Sequence, residues 1–217
     1  MLRTPPQPDP IARALLSLTG YGSLGTAARL LAGTEPLLHY AGLFAMRPRS
    51  ADRLAAMLTD WLGMTVEVEE YAGAWLRMPP DQRSRLGAGG VFCQLGVDAS
   101  AGLRAWSPEA RILIRIGPLT LDGFQMLRPD SRTMQRVVSL IRAFVGMEVG
   151  FAINPVLAAS EIALPRLEAG TAAAPRLGWD TWLPLSRGGG MRRMDAADAV
   201  FDADMIENVP LARVGQR

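Results

Sequence analysis

Residues 50–70, SADRLAAMLTDWLGMTVEVEE, change period in the middle, and that change decides the reading of the fold. Leu54, Met57, Leu58 and Trp61 recur at helical spacing, so they share one apolar face. Ser50 supplies an N-cap hydroxyl, and Gly63 is the natural stop, because glycine accepts the left-handed conformation that ends a helix. Directly beyond it Met64, Val66 and Val68 alternate with Thr65, Glu67 and Glu69, the pattern of a strand with one buried face.

Working outward, a second stretch has the same order of parts. Residues 131–157, SRTMQRVVSLIRAFVGMEVGFAINPVL, again start at a capping serine and carry Met134, Val137, Val138, Ile141, Phe144 and Val145 on one helical face. They again reach Gly-Met and continue into a strand-like run from Val149 to Leu157. Asn154-Pro155 interrupts that run, which predicts an edge strand or a bulge, since proline cannot donate to a ladder. Each stretch is followed by a proline-bearing loop and then Arg-Leu-Gly, at 85–87 and at 176–178. The order helix, Gly-Met, strand, loop, Arg-Leu-Gly occurs twice, which favours a duplication over coincidence. Each copy then projects one loop, Pro79 to Gly90 and Arg166 to Arg176, and two equivalent loops imply two equivalent docking sites.

The rest of the chain reads as follows. Asp9-Pro10 opens a helix with Ile11, Leu15, Leu16 and Leu18 as its apolar side. The loop 20–25, GYGSLG, has the form G-x-G-x-x-G, but a helix rather than a strand precedes it and Glu35 comes too early for a ribose contact. It reads as a helix-helix turn opening a second helix through Leu31. Glu35 to Met46 predicts one deeply buried helix, with His39 as a hydrogen-bonded core residue rather than a general base. Arg111 to Ile116 alternates as a strand. Trp75, Trp106, Trp179 and Trp182 lie in short non-helical segments, where tryptophan either plugs a core or anchors an interface.

The fold class is therefore α+β: a helical N-terminal part, 1–48, then two related helix-strand-loop units with small β-sheets, 49–130 and 131–184, and a flexible tail, 185–217. Within the tail, Asp195 to Asn208 alternates acidic with apolar residues as a marginal helix.

Composition removes several kinds of chemistry. Every one of the 23 basic residues is arginine, with a single histidine, His39, and a single cysteine, Cys93. Without lysine there is no P-loop and no Schiff base, and one His with one Cys does not furnish a soft-metal site. Cys93 has no intrachain partner for a disulfide, and among Val91, Phe92 and Leu95 it reads as a packed thiol. The pairs Glu67 with Glu69 and Asp198 with Asp202 read as solvated surface, and no G-x-S-x-G elbow occurs. The expectation is a non-enzyme with no cofactor, no metal and no small-molecule substrate.

A net charge of +2 with dispersed arginines speaks against the rival reading, an arginine-rich nucleic-acid module. An enzyme working through carboxylates alone is the other rival, and needs two convergent acids in a deep pocket. No run is apolar enough to span a bilayer, and the start MLRTPPQPDP lacks the unbroken apolar core of a signal peptide, so a cytoplasmic protein without direct membrane insertion is expected.

Several separate stretches, in order, also carry a family likeness: Leu38 to Phe44 with Arg47 to Ala51, Gly73 to Leu76 with Arg83 to Gly87, Ile114 to Leu119, and Leu177 to Leu183. Together, over roughly Pro8 to Pro184, they resemble the TssG family, also called ImpH or VasB, of the type VI secretion system. The resemblance implies a structural protein of the baseplate wedge, partnered by TssF and docking the trimeric TssK adaptor through projecting loops, in the cytoplasm at the baseplate docked to the inner membrane. It also implies a longer N-terminal region than the one before Asp9, so a truncated gene, a misplaced start, a short form, or a degenerate fragment that does not assemble stands as an alternative. Placed on this chain, the implied interaction residues are Pro79, Arg83, Arg85, Arg166, Arg176, Trp179 and Trp182.

Overall fold

The computed structural model describes residues 9–23, 25–87, 90–162, 175–182 and 194–209. Along the chain run α1 (Pro10–Thr19), α2 (Glu35–His39), α3 (Ala41–Ala45), α4 (Ala51–Leu62), β1 (Val66–Glu69), β2 (Ala74–Arg77), β3 (Arg104–Ser107) and β4 (Arg111–Leu119). They are followed by α5 (Leu121–Met126), α6 (Arg132–Val145), β5 (Gly150–Leu157), β6 (Phe201–Asp202) and α7 (Ala203–Asn208). The architecture is α+β, as the sequence implies.

Helix α4 starts and stops where its residues dictate. Ser50 Oγ accepts the Arg53 N–H, and Gly63 at φ 66° donates its N–H to the Thr59 carbonyl. Leu54, Met57 and Leu58 are buried, and the chain passes at once into β1. Helix α6 repeats the device at its start, with Ser131 Oγ accepting from Met134 N. Its buried side comprises Met134, Val137, Val138, Leu140, Ile141, Ala143 and Phe144, the central wall of the core. Ser131→Ala removes that acceptor and is expected to cost about 1 kcal/mol, read as a lower urea midpoint with an unchanged slope.

The main sheet has the order β1-β4-β5-β6. Strand β4 lies between the strands of the two sequence units, antiparallel to β1 through Val66↔Ile116 and Val68↔Ile114, and parallel to β5 through Ile112↔Phe151 and Ile114↔Ile153. The parallel pair follows from connectivity, because α5 and α6 form the crossover that parallel strands require. The strands that follow α4 and α6 join in this one sheet, and β2 and β3 form a second, two-stranded sheet, so the small sheets expected from sequence are present.

Of the two outcomes expected at Asn154-Pro155, an edge or a bulge, the structure shows a bulge-like irregularity and not an edge. Strand β5 is flanked on both sides, and the register irregularity falls opposite, between Ile116 and Leu119. Beyond β5 only Ala152 and Ile153 pair with β6, and Leu157 with Ala196. Across the gap the buried Asn154 side chain donates to the Ala197 and Ala199 carbonyls at 2.9 and 2.8 Å, replacing the missing backbone ladder.

Four further expectations change. The segment after the 20–25 loop forms only a 3-10 turn, Ala27–Arg29, rather than a helix through Leu31. Glu35 to Met46 is two short helices broken at Tyr40 (φ −97°, ψ 22°), so Leu37 and Phe44 both reach the core while His39 stays exposed. Cys93 is exposed rather than packed. Residues 194–209, expected within a flexible tail, are built into the molecule: Ala196, Ala199, Phe201, Ala203 and Ile206 belong to the core.

Candidate protein-interaction site

Two places where the chain leaves the core hold the residues singled out from sequence. The first is an arm, residues 74–107, whose base is the two-stranded sheet β2-β3. Trp75 pairs with Trp106 across it, ring centroids 5.5 Å apart and inclined at 64°. Gly73 makes the base possible: it sits at φ 68°, and a Cβ there would lie 2.2 Å from Cζ2 of Trp106, so the indole rests on bare backbone. The Ala72 N–H to Arg111 carbonyl bond ties the base to β4.

Beyond the strands the arm is held by polar bonds, not by a core of its own. Met78 N donates to the Leu103 carbonyl, Arg83 Nε to the Met78 carbonyl at 3.0 Å, Ser100 N to Ser84 Oγ at 2.8 Å, and Arg85 N to the Val91 carbonyl. Its apolar side chains consequently face outward: Leu86 is 93 % and Leu95 95 % exposed, and Val91, Phe92, Val97 and Leu103 are exposed as well. Exposed apolar side chains in this number make the arm the candidate interaction surface. Pro79 and Arg85 are exposed on the arm, while Arg83 is half-buried and spends its Nε on the arm's own backbone.

The second place is the segment 175–182, the return from the second loop. Arg166 and most of that loop, 163–174, lie outside the described residues. The return itself is clamped. Arg176 meets Asp130 at 2.8 Å, its guanidinium stands 4.8 Å from the centroid of Trp179, and its backbone N–H donates to Asp180 Oδ1 at 2.5 Å. Asp180 in turn lies 3.6 Å from Arg128, which also faces Asp130 at 3.7 Å. Trp179 packs edge-on against Phe201 and Trp182 against Phe124, at 6.1 and 5.4 Å. Both tryptophans are thus half-buried braces, and the exposed apolar side chain among the described residues of the segment is Leu177, at 92 %. The two Arg-Leu-Gly stretches therefore share an outward-facing leucine, at 86 and at 177.

Sequence reasoning named the first loop but not its apolar residues from Val91 to Leu103, and it missed Arg128, Asp130 and Asp180. The exposed leucines were legible as apolar positions only; apolar character alone does not say whether a side chain meets its own core or a partner.

Elsewhere the arginines act as internal ties. Arg49 donates to the carbonyls of Ala143, Phe144 and Phe44 and lies over the rings of Phe44 and Phe144, closing the C-terminal end of α6. Burial, reinforced by the nearby charge of Arg47, lowers its pKa. Burial likewise raises the phenol of Tyr21. Tyr40 donates to Asp60 at 2.6 Å, and burial together with that carboxylate pushes its phenol up to about 12. His39, exposed, lies 3.8 Å from the same carboxylate. Among the described residues no group of three or more His, Cys, Asp or Glu stands close enough to hold a metal ion, and no helix is long and apolar enough to cross a membrane.

Comparisons with known proteins converge. In backbone course the chain is similar to a chain of the type VI secretion TssK-TssF-TssG baseplate subcomplex, with a TM-score of 0.70 and 17 % identity, covering 97 % of this chain and 83 % of that one. It is also similar to a chain of a baseplate complex from the type VI secretion system, with a TM-score of 0.54 and 18 % identity, covering 94 % of this chain and 55 % of that one. At those identities the likeness speaks for the fold. None of the curated proteins compared with the chain matches it. A family model described as type VI secretion, TssG, matches residues 3–184, which takes in both units, the arm and the clamped return, and so the chain belongs to the TssG family of type VI secretion.

Proposed function

We propose that this protein is a non-enzymatic structural component of the type VI secretion baseplate wedge, joining TssF and docking the TssK adaptor through its two loops, in the cytoplasm at the membrane-docked baseplate. The observation that carries the reading is the arm: a polar-bonded projection whose leucines at 86 and 95 are almost fully exposed. A free protein gains nothing from that exposure, whereas an adaptor that covers it gains about 25 cal/mol for each Å² of apolar surface removed from water. The second loop joins the same reading through Leu177, held outward by the clamped return.

The test is co-purification of a TssK homologue with the full chain. Leu86→Asp with Leu95→Asp is expected to lower TssK recovery at least about tenfold, the effect of losing some 1.4 kcal/mol, and adding Leu177→Asp to remove the remainder. Because all three side chains face solvent, the variants keep the wild-type unfolding midpoint. Undiminished recovery with all three substitutions contradicts the assignment of the loops.

A further inference from the structure

A cavity of about 670 Å³ is walled by Gly20, Tyr21, Arg29 to Leu31, α6, Gly146-Met147 and Ile206-Glu207 of α7. Its size is that of a ligand or peptide site. Leu30, Val138 and Ile206 give it an apolar lining. Three guanidiniums, those of Arg29, Arg49 and Arg142, line it against a single carboxylate, Glu207.

Among the described residues the charges do not cancel. Arg142 is committed to Glu207 at 3.2 Å and to Asp204 at 3.5 Å. Among the described residues Arg49 is held by backbone carbonyls and by the rings of Phe44 and Phe144, with no carboxylate in an ion pair, and its Nε is buried without a hydrogen-bond partner. Arg29 is exposed and makes no ion pair among the described residues. An apolar cavity lined by two cations that no described carboxylate pairs fits an occupant that is apolar and anionic at once.

The form of the surroundings favours a polypeptide over a small metabolite. Leu31 and Met147, both well exposed, also line the cavity, so an occupant has apolar contacts to make on its solvent side as well as inside it. We propose that the cavity receives a segment of a partner protein in which a carboxylate side chain stands beside an apolar one. The carboxylate meets Arg29 and Arg49, and the apolar side chain fills the space between Leu30, Val138 and Ile206. This contact is separate from the arm, because Asp204 and Met205 of α7 border the cleft at the arm's base while Ile206 and Glu207 border the cavity. It rests on the assembly reading above, but not on which loop holds the adaptor.

The experiment places a photo-crosslinking residue, p-benzoylphenylalanine, at Met147 of the full chain, co-expressed with its TssF and TssK homologues, and a second probe at Leu95 on the arm. The expected result is a partner crosslink from Met147 whose peptide contains an acidic residue next to an apolar one. Arg29→Glu is expected to lower its yield at least about tenfold, and Arg29→Lys to keep most of it. Partner crosslinks from Leu95 but none from Met147 overturn the proposal and leave the assembly reading standing. Partner crosslinks from neither probe overturn both. A Met147 crosslink confined to this chain, or one indifferent to Arg29→Glu, also overturns it, as does a stoichiometric small anion on the isolated chain in native mass spectrometry that Arg29→Glu releases.

Discussion

Arg128→Met is expected to lower stability by about 3–5 kcal/mol, the range for removing one partner from a buried ion-pair network. Arg128 is only 7 % exposed and faces Asp130 and Asp180 from between them. Methionine keeps the unbranched apolar stem of the side chain but not its charge, so two carboxylates remain in a dry site with Arg176 as the other described cation against them. The consequence is local as well as global. Asp180 also accepts from the Arg176 backbone, so the return from the second loop loosens first. Urea denaturation reads the global part, and hydrogen exchange at Arg176, Trp179 and Asp180 reads the local part. A loss under about 1 kcal/mol would show that the network is a surface ornament.

Phe144→Ala has the other large effect, again about 3–5 kcal/mol, for a different reason. Phe144 is almost wholly buried, packs edge-on against Phe44 at 5.5 Å, and forms one of the two rings under Arg49. Truncation therefore opens a cavity and strips one aromatic face from a half-buried cation. In a domain of this size each kcal/mol moves Tm by about 2–4 °C, so a fall of roughly 6–20 °C is expected by differential scanning calorimetry. Phe144→Leu keeps most of the volume and is expected to lose less than half as much.

The parts of this fold that were legible in the sequence are those where a cap, a periodic face and a stop agree. Ser50 with Gly63 and Ser131 with its amphipathic face define α4 and α6 because each signal is local. The break at Tyr40 was not legible, because the residues from Glu35 to Met46 are apolar around the whole circumference and the break is set by what Leu37 and Phe44 must reach. Strand β3 was missed for a similar reason: Arg104 to Ser107 is a strand only because Trp106 has Trp75 opposite it, from 31 positions earlier in the chain. The C-terminal segment deceived through its small residues. Ala196, Ala199 and Ala203 carry a weak hydrophobic signal, yet they pack against the sheet because the Asn154 side chain holds that backbone close.

The candidate site divides along the same line. The first loop was legible from proline, glycine and the repeated Arg-Leu-Gly. The arm's extent to Leu103 and the brace under Trp179 were not, since both depend on contacts between distant positions. The arginines also change meaning. Named from sequence as docking groups, Arg83 and Arg176 also make bonds within the chain, and the proposed docking surface adds the exposed leucines at 86, 95 and 177.

The central claim is assembly, and the measurement that tests it most directly is the mass of what co-purifies when this chain is expressed with its TssF and TssK homologues. Native mass spectrometry is expected to show one complex containing all three polypeptides, with TssK lost first when Leu86, Leu95 and Leu177 are replaced by aspartate. A folded chain that elutes alone at 23.4 kDa in the presence of both partners would contradict it.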